Sequence, residues 1–469
     1  MIGRRAQDAT RLCFRRSDGM DVEWKEAREA HVAGLQGSSM SVLCWVSVIL
    51  PLAGCLSLGL GRMGARYKWS PLALFIASYG GLTLPLVGVF LRHPGWEQGG
   101  VMGGVFVVGM VLNGVYQGKH TETNKREKEE GGGRRVAHLS TYRAILMVST
   151  AVAILGVDFH AFPRAYAKTE TYGVSLMDVG VGSFVFSKGL VSTPGRAWEG
   201  ASALSKVGWE LIPLLVMANI RFVVHKAIGY QEHVTEYGVH LSFYHTLCGV
   251  LIIGWILPRM SRAAVCGLGI GVGVLYEAAL LGDGGALEAY LLNPSDASRT
   301  TSFVGANREG IFSLCGFGAL LLVGMGLGGV DALRSTRRVA ISALCAWGVY
   351  FGLTAGLGLA SSRRLANGPY IAWIVAHNMS LVGALSVVHS AFAPSSYVSP
   401  AVSFINSHQL LFFILANLCT GIVNLSIDTL SVGDGVARLV MSVYVFAVPA
   451  VVCAASGARA RARAHERSE

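Results

Sequence analysis

Runs of apolar residues separated by short polar stretches recur along the whole chain. Each is near the 20 or so residues that a helix needs to cross a hydrocarbon core of about 30 Å. Thirteen such runs can be read, at 40–61, 70–91, 99–117, 141–157, 173–191, 207–225, 237–257, 263–281, 309–328, 339–360, 369–391, 403–424 and 435–455. Periodicity does not separate helix from strand in runs that are apolar all round. A spanning segment, however, must satisfy every backbone group internally, and at these lengths that selects helices. The expected fold is all-α, a polytopic integral membrane protein of about 13 transmembrane helices. Run 173–191 is the most polar, with Asp178, Ser183, Ser187 and Lys188, so it is expected either to cross fully or to form a half-buried or re-entrant piece lining a cavity.

Composition agrees: 52% of residues are hydrophobic, 14% are charged and the mean hydropathy is +0.50, against roughly 25% charged in a soluble domain. Fifty-nine glycines suit close helix packing. Gly269-Ile270-Gly271-Val272-Gly273 has no βαβ context, so helix packing is expected there and nucleotide binding is not. Nine cysteines are scattered without a C-x-x-C pair and read as packing residues. No H-E-x-x-H or Cys/His cluster is present, so no metal site is expected. No cleavable signal peptide is expected either: polar Lys25-Glu26-Ala27-Arg28-Glu29 precedes the first run, which would itself serve as the insertion signal.

Charge sets the expected orientation. Loops on one side, with the tail after Ser456, carry 20 Lys/Arg, against 15 on the other side with the N-terminal tail included. The positive-inside rule then makes tail 1–39 luminal, domain 40–455 a single multi-span unit with a basic cytosolic loop at 118–140, and tail 456–469 cytosolic. Within that loop, Gly131-Gly132-Gly133 reads as a solvated linker. The net charge of +11 fits cytosolic loops facing anionic lipid; without interleaved aromatics it does not indicate nucleic acid.

Polar groups concentrate on the opposite side. The densest stretch is Val157-Asp158-Phe159-His160-Ala161-Phe162-Pro163-Arg164-Ala165-Tyr166-Ala167-Lys168-Thr169-Glu170-Thr171-Tyr172-Gly173, where burial beside a bilayer makes charge costly unless it is paired or functional. Glu236-Tyr237-Gly238-Val239-His240, Asn307-Arg308-Glu309-Gly310, Asn367-Gly368-Pro369 and Asn424-Leu425-Ser426-Ile427-Asp428 border loops of the same side. A shared membrane-level site away from the cytosol is the economical expectation. Glu236 and His240 share a helix face if run 237–257 begins helical. His377 and Asn378 lie mid-run, where a lone His is more often a packing residue. Asn417, Asn424 and Asp428 recur at roughly helical spacing, as in interhelical hydrogen bonding or a polar cavity wall.

These segments carry a resemblance. With Ser175-Leu176-Met177-Asp178-Val179-Gly180, Asn307 to Phe312, Asn367 to Asn378 and Asn417 through Asp428, the chain closely resembles the inositol acyltransferase family of glycosylphosphatidylinositol (GPI) anchor synthesis. The resemblance implies transfer of a fatty acyl group, palmitoyl by expectation, from acyl-CoA to the inositol of glucosaminyl-phosphatidylinositol in the endoplasmic reticulum membrane. It implies no cofactor beyond acyl-CoA as co-substrate, and membrane lipids as surroundings. Departures are Ala165 where the family usually has a second Arg, Leu241-Ser242 where it has Trp-Asn, and Lys188 where it has Ser or Thr.

Acyl transfer to a hydroxyl needs a base for the proton and positive charge or donors for the tetrahedral oxyanion. Asp158 and Lys168 are the catalytic candidates, on which the family's active pair falls; the alternative is an interfacial pair that anchors the loop. Arg164, Lys168 and Thr169 could hold lipid phosphate, or Arg164 could snorkel. Glu170, Asp178, Glu236, Tyr237, His240, Asn307, Arg308, Glu309, His377, Asn378, Asn417, Asn424 and Asp428 complete the expected substrate-binding set. A secondary transporter, with the same carboxylates and histidines relaying protons, is the competing class, although the two halves show no internal repeat.

Overall fold

The computed structural model describes residues 31, 33–115, 136–195, 208, 210–220, 234–293, 296–392 and 397–466. The Lys25-Glu26 segment, the linker glycines 131–133 and the 118–135 part of the 118–140 loop lie outside them.

Among the described residues, thirteen principal helices follow the apolar runs. They are α1 (Met40–Arg66), α2 (Pro71–Phe90), α3 (Trp96–Val115), α4 (Ala137–Gly156), α5 (Asp178–Val191), α6 (Glu210–Ile220), α7 (Phe243–Ile256), α8 (Arg262–Leu281), α9 (Arg308–Leu327), α10 (Thr336–Phe351), α11 (Gly368–Phe392), α12 (Gln409–Ser426) and α13 (Asp434–Glu466). The protein is thus an all-α polytopic membrane protein. Among the described residues, ten helices are long and apolar enough to cross a bilayer; α5, α6 and α7 are shorter, with α5 and α7 at 14 residues each. The expected count of 13 spans is therefore not reached by length alone.

Boundaries move where polar chemistry intervenes. Run 173–191 becomes helical only at Asp178, because Ser175 and Thr169 engage its carboxylate ahead of the first turn. Run 237–257 becomes α7 only at Phe243. The short helix Val234–Tyr237 ends at Gly238, whose φ of +104° breaks it, so the expected helical i,i+4 placement of Glu236 and His240 does not form. Run 403–424 divides at His408 into Pro400–Ser407 and α12.

The chain divides into two compact units, one comprising Met1–Ala33, Ser41–Ala167 and Leu385–Glu469, the other Gly34–Met40 and Lys168–Ala384. In the first, α1 packs on α2 and α3, while α4 packs on α2, α12 and the short helix Pro400–Ser407. Buried polar groups pin these apolar faces. Tyr79 Oη donates to the Val445 carbonyl at 2.8 Å, and Asn113 Nδ2 donates to the Cys55 carbonyl at 2.9 Å. The loop after α4 folds back on its own helix. Phe159 and Phe162 are fully buried, and a Cβ on Gly156 would stand 2.9 Å from the Phe162 ring.

The second unit is built around α9, against which α5, α7 and α8 pack. Small residues allow backbones to meet. A Cβ on Gly189 of α5 would stand 2.5 Å from the Leu321 carbonyl oxygen, and one on Gly269 of α8 would stand 2.8 Å from the Val323 backbone nitrogen. The glycine-rich run of α8 is therefore a packing face, as expected from its apolar context. The segment Gly34–Met40 joins this unit through Ser38 N–H, which donates to the Val174 carbonyl at 2.7 Å. Gly37 has a φ of +81° there, and any Cβ would meet the same carbonyl at 2.4 Å, so only glycine fits the crossing.

Candidate active site

The expected site residues divide between the units. Asp158, Arg164, Asn417, Asn424 and Asp428 belong to the first, and all the others to the second.

In the first unit, half-buried Asp158 follows the C-terminal end of α4. Asn424, in the last turn of α12, donates from Nδ2 to Asp158 Oδ2 at 2.8 Å, and its own Oδ1 is buried without a hydrogen bond. Asn417, two turns earlier, turns back on its own helix and donates to the Phe413 carbonyl at 2.8 Å. Asp428 lies exposed in the turn after α12.

Arg164 is occupied by its own loop. Its Nη2 donates to the carbonyls of Val157, Phe159 and Phe162 at 2.8, 3.1 and 2.9 Å. Burial lowers its pKa to about 10, while the nearby Asp158 carboxylate works the other way. The guanidinium thus fixes the turn that presents Asp158.

In the second unit a chain of charge runs from the interior outward. Asp178 is completely buried at the start of α5. Its carboxylate accepts from Thr169 N–H at 3.2 Å, Thr169 Oγ1 at 2.9 Å, Ser175 Oγ at 2.8 Å and Arg363 Nε at 2.8 Å. Such satisfaction is what a buried carboxylate requires, and it leaves Asp178 as an anchor for the 168–178 turn. Arg363 extends from Asp178 to Glu236, donating from Nη1 to Oε1 at 2.9 Å. Burial opposes its charge, yet the carboxylates of Glu236 and Asp178 hold its pKa above the ordinary value. The same Glu236 oxygen accepts from Lys168 Nζ at 2.8 Å. The Lys168 side chain is 40% exposed, so it ends the chain on the solvent side.

The remaining polar residues hold loops. Glu170 is exposed; its Oε1 accepts from Gly34 N–H at 3.0 Å, and its own N–H donates to the Leu35 carbonyl at 3.1 Å. Asn307, buried just before α9, accepts from the backbone N–H groups of His240 and Leu241 at 2.8 and 3.1 Å. It thereby stabilises the break at Gly238, beside buried Tyr237. His240 is exposed, and its ring stacks on Phe303 with centroids 5.8 Å apart. Glu309 Oε1 accepts from Arg364 Nη2 at 2.8 Å and also from Arg299. His377 is buried mid-helix in α11, and Asn378 donates to the Ile374 carbonyl at 2.7 Å, a bond within its own helix.

Sequence reasoning missed Arg363 and Arg364. Their signal was present: two adjacent arginines in the short loop 361–368, on the side where basic residues are few. Ser175 was read only as part of the resemblance, not as the hydroxyl that caps Asp178.

Fold and site together define a multi-span membrane protein with buried ion pairs and polar loops at the ends of its helices. The GWT1 family model matches residues 24–455 of this chain. GPI-anchored wall transfer protein 1 of Aspergillus oryzae is 37% identical over 367 residues, covering 67% of this chain and 71% of the relative. Its counterpart in Schizosaccharomyces pombe is 35% identical over 341 residues, covering 69% and 73%. That of Aspergillus fumigatus is 31% identical over 495 residues, covering 91% and 96%. The chain belongs to the GWT1 family, the inositol acyltransferase family of GPI-anchor biosynthesis.

Proposed function

We propose that this protein transfers a fatty acyl group, palmitoyl in the expected case, from acyl-CoA to the inositol hydroxyl of glucosaminyl-phosphatidylinositol in the endoplasmic reticulum membrane. Asp158 is assigned the base. It takes the hydroxyl proton as the inositol oxygen attacks the thioester carbonyl; the C–S bond then breaks and coenzyme A leaves as the thiol after gaining a proton. Lys168 is assigned the positive charge that steadies the oxyanion. No cofactor is required, since the thioester is already activated.

The observation that carries this reading is a contrast between two aspartates. Asp178 accepts from four donor groups, one of them the paired Arg363 guanidinium, which suits an anchor. Asp158 is instead only half-buried; it accepts from the neutral amide of Asn424 and lies near the Arg164 guanidinium that holds its turn. Family membership supports the acyl-transfer class over transport. The test is an assay of purified protein with palmitoyl-CoA and glucosaminyl-phosphatidylinositol, read by the mass of the lipid. Addition of one acyl group is expected; unchanged lipid from folded protein would return the reading to a transporter.

A further inference from the structure

Three arginines gather at the start of α9, in the second unit. Arg308 is fully buried, with its guanidinium 4.5 Å over the Tyr290 ring. It donates to the Asn293 carbonyl and lies 3.5 Å from the Asp296 carboxylate. Arg364 donates to the Leu291 carbonyl at 3.3 Å and to Glu309. Arg299, 10% exposed, reaches the same Glu309 oxygen. The ion pairs therefore set three guanidinium groups against two carboxylates.

An excess of buried positive charge is unfavourable, and the strain shows in two ways. Burial, together with the neighbouring charges of Arg299 and Arg308, lowers the pKa of Arg364 despite its bond to Glu309. Donor atoms are also left over: Nη1 of Arg299, Nε of Arg308 and Nε of Arg364 are buried without a hydrogen-bond partner. Asp296 is the outermost member. It is 27% exposed, makes the longest of these ion pairs, and is held locally by Ser298 N–H at 2.7 Å.

We propose that Arg299, Arg308 and Arg364 form a phosphate-binding site in which Asp296 is a displaceable placeholder. Planar guanidinium groups with spare N–H donors match phosphate oxygens in paired hydrogen bonds. A dianion or diester entering from the Asp296 side corrects the charge excess and takes up the spare donors. This rests on the proposed acyl transfer for its choice of ligand, because both substrates of that reaction carry phosphate: the diester of the inositol lipid and the phosphate groups of coenzyme A.

The test is equilibrium binding of two separate probes to the purified full-length chain, coenzyme A without an acyl group and phosphatidylinositol in nanodiscs. Each is measured for the unaltered protein, Arg299→Gln and Asp296→Asn. Arg299→Gln removes a charge and should weaken one probe by about 10-fold. Asp296→Asn keeps the acceptor for Ser298 but removes the competing charge, and should tighten the same probe several-fold. An effect on coenzyme A assigns the site to the thioester substrate; an effect on phosphatidylinositol assigns it to the lipid headgroup. A structural clamp predicts something different, namely that both variants weaken binding, or leave it unchanged, while the melting temperature falls. Either of those results overturns the proposal. The two readings fail separately. If no acyl transfer occurs but the opposed binding shifts appear, the phosphate site stands without the reaction; if acyl transfer proceeds with unshifted binding, the reaction stands without the site.

Discussion

Asn424 donates a hydrogen bond to Asp158 at 2.8 Å, joining the last turn of α12 to the turn after α4 across 266 positions of sequence. It is a neutral donor on a carboxylate, so it fixes the orientation of Asp158 without supplying a compensating charge. Orientation of a base by a neighbouring donor is a recurring way to hold reactive geometry.

If Asp158 is the base, Asp158→Asn preserves shape and should lower turnover by about 10²-fold or more, with the protein still inserted and folded. Asn424→Leu should also lower turnover, by a smaller factor, because Asp158 loses its orienting donor. Near-normal turnover in Asp158→Asn, measured on folded protein, would move the search for a base to His240 or His377.

Lys168 and Arg363 share the Glu236 oxygen but differ in burial, so their variants should separate. Lys168→Ala removes an ion pair at a side chain 40% exposed, which costs about 1 kcal/mol or less of stability; its effect should appear in turnover. Arg363→Met strands the buried Asp178 carboxylate and should cost about 3–5 kcal/mol. Thermal unfolding in detergent should show the large shift for Arg363→Met and little for Lys168→Ala. Pairing Arg363→Met with Asp178→Asn should recover part of the loss.

The glycine run of α8 offers a matched pair. A methyl at Gly269 would press on the α9 backbone at 2.8 Å, whereas at Gly271 nothing lies within 4 Å. Gly269→Ala should destabilise by about 1–3 kcal/mol through overpacking. Gly271→Ala should be neutral or stabilising, since Ala favours helix by up to about 1 kcal/mol. Equal melting temperatures would remove the close-packing account of this face.

The distribution of basic residues predicts orientation. A glycosylation acceptor placed in 282–308 should be modified in the endoplasmic reticulum, and one placed in 118–140 should not; the reverse pattern would overturn the luminal assignment. The sequons at Asn378 and Asn424 lie within helices α11 and α12, so neither is expected to carry glycan.

The apolar runs determined by themselves that this chain is helical and lies in a membrane, because length and hydropathy are local properties and a bilayer forbids unpaired backbone. The ordered motifs were equally sufficient to place it in its family. What tertiary structure decided was the partner of each polar residue. Glu236 and His240 are four positions apart, and only the turn at Gly238, held by Asn307 from 66 to 67 positions away, separated them. The loop carbonyls that Arg164 engages, those of Val157, Phe159 and Phe162, follow from how the loop folds. Asp178 and Asp158 look alike along the chain, yet Arg363, 185 positions beyond Asp178, makes one an anchor, while Asn424 orients the other. Burial is legible in sequence because it follows from local composition. Pairing is not, because the partner of a buried charge is chosen by packing among segments distant in the chain.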